Sequence, residues 1–152
     1  MGIKNAAIHY HFPSKSDLVA AVINHHIESF NRFKKEQKNK KTIQKVSAFL
    51  DIYSKIQAEE RICVVGSLAT DWDTIDETSQ KLLKEAADDI LQWLTTTLAE
   101  GLKNKEFQFE ETPRTKALLI ITNMLAATQL ARITSGKDFT TIRAAILKSL
   151  KV

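Results

Sequence analysis

Four histidines, His9, His11, His25 and His26, and a single cysteine, Cys63, are the side chains with which this 152-residue chain could hold a metal or move protons. Two histidines share a metal on a helix when they stand four residues apart on one face, and a site is completed by a third cysteine, histidine or carboxylate. His9-x-His11 and the adjacent pair His25-His26 have neither the spacing nor the third group, so no metal site is expected. The sequence also lacks a nucleophile elbow, a phosphate loop and a glycine-rich dinucleotide turn. No catalytic residue and no cofactor are expected, and an enzyme is the disfavoured class. Cys63, between Ile62 and Val64, reads either as a redox or electrophile sensor or as an inert small hydrophobe.

The elements that must position such residues are helical. Four Gly and two Pro are few, 43% of residues are hydrophobic and 26% charged, and Ala, Leu, Ile, Lys and Glu are common, a balance that favours an all-α globular fold over a turn-rich sheet or a disordered tail. One cysteine forms no internal disulfide, the first residues carry no apolar run of a signal peptide, and no segment approaches a membrane span, so a cytoplasmic protein is expected. Net charge is +4, unevenly placed. Residues 1–46 carry nine Lys/Arg against three Asp/Glu, and residues 47–152 carry thirteen against fifteen. A basic front end suits an anionic partner such as nucleic acid, or else is simply a solvated helix face.

Periodicity places the helices. Ser14-Lys15-Ser16-Asp17, preceded by Pro13, has the form of a capping box, and Val19, Ile23, Ile27, Phe30 and Phe33 form one buried stripe of a helix from Lys15 to about Lys35. Ile43, Val46, Leu50, Tyr53 and Ile56 mark a second helix over about Thr42 to Glu59, followed by a short apolar segment, Ile62 to Ala69. Asp76 caps a long helix that ends near Leu102 to Asn104. Thr112-Pro113 opens a nearly all-apolar helix that Gly136 is expected to stop, and Asp138 or Thr140 opens the last. The two closing helices offer more apolar surface than a small bundle covers, which predicts a homodimer.

The segment Gly2-Ile3-Lys4-Asn5-Ala6-Ala7-Ile8-His9-Tyr10-His11-Phe12-Pro13-Ser14-Lys15-Ser16-Asp17-Leu18 resembles the turn and recognition helix of the TetR family of transcriptional regulators, running into the opening of its long connecting helix. Gly2, Ile3, Ile8, Tyr10, His11, Phe12, Ser14, Lys15, Asp17 and Leu18 carry the resemblance. The remainder agrees in helix number, length and order. Physical chemistry fits the role: Gly2 suits a tight turn, Ile3 and Ile8 a small core, and Lys4, Asn5 and Ala6 lie where a recognition helix meets base edges, Asn5 suiting adenine and Ala6 a thymine methyl. The resemblance gives His9, Tyr10 and His11 phosphate or base contacts, and Lys15 adds a cation at a helix N-terminus. Family members usually have tyrosine where this chain has His9. They also have two helices before Gly2, on the order of 30 residues, and the sequence is expected to lack them.

The resemblance implies residues 1–14 as a partial helix-turn-helix and residues 15–152 as a helical ligand-binding and dimerisation domain. It implies a repressor that binds double-stranded operator DNA as a homodimer, given the preceding helices, and is released by a small-molecule effector. The effector pocket is expected at Phe49, Tyr53, Cys63, Trp72, Trp93 and Met124, each of which also reads as plain core. The dimer interface is expected at Leu118, Ile121, Leu125, Ile142, Ile146 and Leu150. The alternative is a helical dimerisation or sensor module without DNA binding of its own.

Overall fold

The structure is a computed structural model that describes residues 10–150. Tyr10 and His11 end a helical segment, after which six α-helices follow: α1 Lys15–Gln37, α2 Thr42–Ala58, α3 Val64–Thr70, α4 Glu77–Lys103, α5 Pro113–Ala131 and α6 Gly136–Lys148, with one 3₁₀ turn, Trp72–Thr74, between α3 and α4. No strand occurs among the described residues, so the expected all-α class holds.

Three of the helices, α1, α4 and α5, start at a residue whose side chain caps them. Ser14 is extended and its side chain accepts from the Asp17 amide at 3.1 Å, while the Asp17 carboxylate accepts from the Ser14 amide at 3.0 Å, a complete capping box. Asp76 accepts from the Ser79 amide and Thr112 from the Thr115 amide, with Pro113 in the first turn of α5.

The helix ends are less conventional. Glu60 and Lys105 take φ of 52° and 56°, the left-handed conformation usually left to glycine. Beyond α2 the Arg61 amide returns to the Ile56 carbonyl at 2.9 Å and Glu60 to Gln57 at 3.2 Å; beyond α4 the Glu106 amide returns to Gly101 at 2.8 Å and Lys105 to Leu102 at 3.1 Å. Both are Schellman turns built on charged residues. Gly136, expected to stop α5, instead occupies the first turn of α6 behind an extended Ser135. α5 has already closed at Ala131, where the amides of Ile133 and Thr134 and the Thr134 hydroxyl all converge on the Leu130 carbonyl. Ser135, not Asp138 or Thr140, therefore opens α6.

The main core is gathered by α2, α4, α5 and α6, with Leu50, Leu94, Leu98, Ala117, Met124 and Leu150 at 0% exposure, and α1 contributes Phe30 to it. A smaller cluster, Val19 and Ile23 of α1 with Ile75 and Leu83, holds the other end of α1 against α4. Burying such side chains supplies about 1.5–3 kcal/mol each. Polar ties fix the register: Lys34 pairs with Asp89 between α1 and α4, Lys45 with Glu100 between α2 and α4, and Arg143 reaches Asp51 and Ser47 from α6 to α2. Thr42 at the head of α2 donates its amide and hydroxyl to Glu106, at 3.1 and 2.7 Å. α1 is thus one unbroken 23-residue rod clamped along the bundle.

Candidate functional site

Twelve residues beyond Ser14, about 18 Å along α1 at 1.5 Å per residue, His26 and Phe30 reach the wall of an internal cavity of about 80 Å³. The facing wall is α2, with Phe49, Ile52, Tyr53 and Ile56, each a turn or less from the next. Cys63 and Val65 close one end, Ala87 and Ile90 of α4 form the floor, and Ile121 and Leu125 of α5 the side. Packed helices leave such a gap where the side chains between them diverge. Lined by carbon on almost every side, the chamber has only His26, Tyr53 and Cys63 as groups able to form hydrogen bonds.

Burial acts on two of them. The Tyr53 phenol is pushed well above its ordinary range, by burial first and by the neighbouring Cys63 thiol second, so it stays neutral. The His26 imidazole is held below its usual pKa, again by burial first and by the adjacent His25 second. His26 Nε2 is shielded from solvent and has no hydrogen-bond partner. A buried nitrogen without a partner carries an uncompensated desolvation cost and is available to a ligand atom.

A testable consequence follows for stability. Because the folded-state pKa of His26 lies below its unfolded value, the unfolded chain takes up the proton first as pH falls. Stability is full above pH 6.5 and declines as pH drops through the window between 6.5 and the lower folded pKa. Urea unfolding from pH 8 to pH 5.5 should show that decline, and His26→Gln should flatten it. An unchanged slope in the variant would remove His26 as its source.

Phe49, Tyr53 and Cys63 stand in the chamber wall, whereas three other expected pocket residues lie elsewhere. Met124 is fully buried in the core away from the cavity, and Trp72 is 39% exposed on the 3₁₀ turn. Trp93 backs the wall, its ring 5.9 Å from Phe30, 5.1 Å from Phe33 and 5.9 Å from Phe49. Ile121 and Leu125, expected at a dimer interface, are partly buried and line the chamber. Leu150 is fully buried in the chain's own core, Ile146 packs into the same core at 8% exposure and borders an open cleft with Leu119 and Ile142, and Ile142 is half-buried against that core. Of the six only Leu118, 43% exposed, is on the open face of α5, which it shares with Leu119, Leu130 and, just past the helix end, Ile133. His26, Phe30, Ile52, Ile56 and Ile90 were not singled out as pocket residues, though Phe30 and Ile56 were legible in buried stripes.

At the other end of α1, Tyr10 is 84% exposed with its ring edge-on to His11 at 5.2 Å. Lys15 is exposed and its Nζ is 3.4 Å from the Thr74 hydroxyl. Lys4, Asn5, Ala6 and His9 lie outside the described residues. No cluster of three metal-binding side chains occurs among the described residues, and no helix there is long and apolar enough to cross a membrane.

A helical body around an apolar chamber, entered by one long helix leading from an exposed aromatic-histidine segment, defines a class, the TetR-type regulators. The chain has the fold of the TetR-family transcriptional regulators, and its structural neighbours are members of that family. A TetR-family regulator from Agrobacterium tumefaciens superimposes with a TM-score of 0.86 at 26% identity, over 99% of this chain and 82% of that one. A TetR regulator from Legionella pneumophila superimposes with a TM-score of 0.81 at 27% identity, over 98% of this chain and 81% of that one. No protein-family profile and no curated protein matches the sequence.

Proposed function

We propose that this chain, given the two helices that precede Gly2 in family members, is a transcriptional repressor, working in the cytoplasm, that binds operator DNA as a homodimer and releases it when a small molecule occupies the chamber. The TetR fold supports a regulatory role, and the structural neighbours are regulators rather than enzymes. The observation that carries the reading is α1. It runs without a break from the Ser14 cap, directly behind Tyr10 and His11, to the chamber wall at His26 and Phe30. A ligand that widens the chamber shifts that rod, and a rigid rod transmits the shift to its other end. Residues 1–14 then serve DNA contact, with Lys4, Asn5 and Ala6 at base edges and His9, Tyr10 and His11 at phosphates or base edges, while residues 15–152 sense and dimerise, Lys15 at their head adding a phosphate contact.

The test is selection of duplexes from a random double-stranded library by the chain extended at its N-terminus with the two helices that family members carry before Gly2, followed by titration of the enriched sequence at rising salt. Enrichment of a pseudo-palindrome, with affinity falling linearly in log salt as phosphate contacts require, is expected. If no duplex is enriched, DNA binding by this chain is refuted, and a dimerising sensor module takes its place.

A further inference from the structure

Beside the chamber, on the outer side of α1 and α2, lies an open groove of about 650 Å³. His26, Ile52 and Ile56 border both spaces, so these three side chains are the partition between them. Val22, 39% exposed, and Ile62, 50% exposed, give the groove an apolar floor that water covers. Its charged lining is of one sign: Lys55 from α2 and Arg61 from the following turn, with His25 nearby and no carboxylate. Arg61 also holds Glu59 through its Nε at 2.7 Å, an exposed pair with which an incoming anion competes. On another side of α1, Glu85 and Asp89 line a cleft that shares His26, Phe30 and Ile90 with the chamber, and there Lys34 pairs with Asp89.

The geometry points to an effector that is a single-chain amphiphile, with an anionic head held at Lys55 and Arg61 and an alkyl tail passing His26, Ile52 and Ile56 into the chamber. This rests on the effector reading above and names the chemical class of that ligand. The inner space sets the tail. An apolar cavity of about 150 Å³ takes a benzene ring, so one of about 80 Å³ is too small for a ring and accommodates a few methylenes. The groove sets the head, since the charged side chains that line it, Lys55 and Arg61, are cationic and a neutral head would leave both unused. His26 Nε2, unpartnered at the partition, provides a hydrogen bond where head meets tail.

Calorimetric titration of the full chain with decanoate, decanol, decylamine and shorter carboxylates tests this, all below micelle-forming concentration. Decanoate should bind at least tenfold more tightly than decanol or decylamine, and each methylene withdrawn from the chamber should weaken it about fourfold. Lys55→Gln with Arg61→Gln, both exposed positions that leave the fold intact, should bring decanoate down to the affinity of decanol and leave decanol unchanged. Equal or tighter binding of decanol or decylamine overturns the inference, as does a double variant that keeps the preference for decanoate. Decyl sulfate separates the two sources of an anionic head: binding equal to decanoate supports charge alone as the recognised feature, and its rejection supports a carboxylate specifically. Failure of decanoate to bind at all refutes the amphiphile while operator selection stands or falls on its own result.

Discussion

Gly101→Ala is expected to destabilise the protein by about 3 kcal/mol, where the same change in an ordinary helix interior stabilises by about 0.5–1 kcal/mol. The reversal has a local cause. Gly101 lies in the last turn of α4, and the Schellman turn at Asn104 and Lys105 folds the chain back so that the Glu106 and Phe107 amides both bond to the Gly101 carbonyl, at 2.8 and 3.1 Å. Phe107, 3% exposed, then lays its ring directly over the Gly101 Cα. A Cβ at that position would lie 2.1 Å from the ring's Cδ2 and 2.4 Å from Cε2. The ring cannot slide aside inside a packed core, so either it leaves its seat or α4 bends, and overpacking of this kind costs about 1–3 kcal/mol or more. Loss of the ring altogether, Phe107→Ala, is worth about 3–5 kcal/mol. Urea denaturation with an unchanged m-value is the measurement. Gly101→Ala in a Phe107→Leu background should cost far less than in the parent, because the two changes share one space. If Gly101→Ala alone matches the parent's stability, the close approach of ring and backbone is not what holds this corner.

That corner also marks where sequence reasoning stops. The starts of the helices were legible, because Ser14, Asp76 and Thr112 cap through their own side chains and a cap is a local event. The ends were less so. Lys105 and Glu60 turn the chain in a conformation for which glycine is the usual signal, while Gly136, which carries that signal, sits in a helix with no positive φ. Residue type does not distinguish these cases: beyond Lys105 the chain is held by Phe107 buried in the core, and α5 closes through the bonds gathered at Leu130 before Gly136 is reached. The chamber was half legible for a similar reason. Periodicity identified the stripes that include Tyr53 and Phe30, but a cavity is produced by how stripes cross, and crossing angles are not written in any one helix. Hence Met124, apolar and central, fills core, and Ile121 and Leu125 line the cavity.

Leu119→Glu together with Leu130→Glu is expected to convert a dimer to monomers and to weaken operator binding at least a hundredfold. α5 is apolar nearly all round, and its core-facing stripe, with Ala117, Ile120, Met124 and Ala127, accounts for only part of that surface. On the open side, Leu118 and Leu119 at 43%, Leu130 at 51% and Ile133 at 84% exposure share an arc with Thr122, Asn123, Ala126 and Gln129. At 100° per residue these eight positions fall within about 140° of the helix circumference. Such a face is self-complementary about a two-fold axis, with small or polar residues at its middle and large apolar ones at its ends, so each side chain is counted twice in a closed dimer. Two glutamates per chain put four carboxylates into that contact, each with a desolvation penalty of several kcal/mol. The monomer itself should be little affected, since exposed substitutions change stability by about 0.5 kcal/mol or less. DNA affinity falls because the dimer holds two half-site contacts together, so that the second forms at the effective concentration set by the first, and a monomer has only one. Sedimentation velocity and operator titration on the same preparation read both effects. A variant that stays dimeric places the interface on another face of the bundle, whereas a monomer that still binds operator with full affinity would mean that the dimer, though real, is not what DNA recognition depends on.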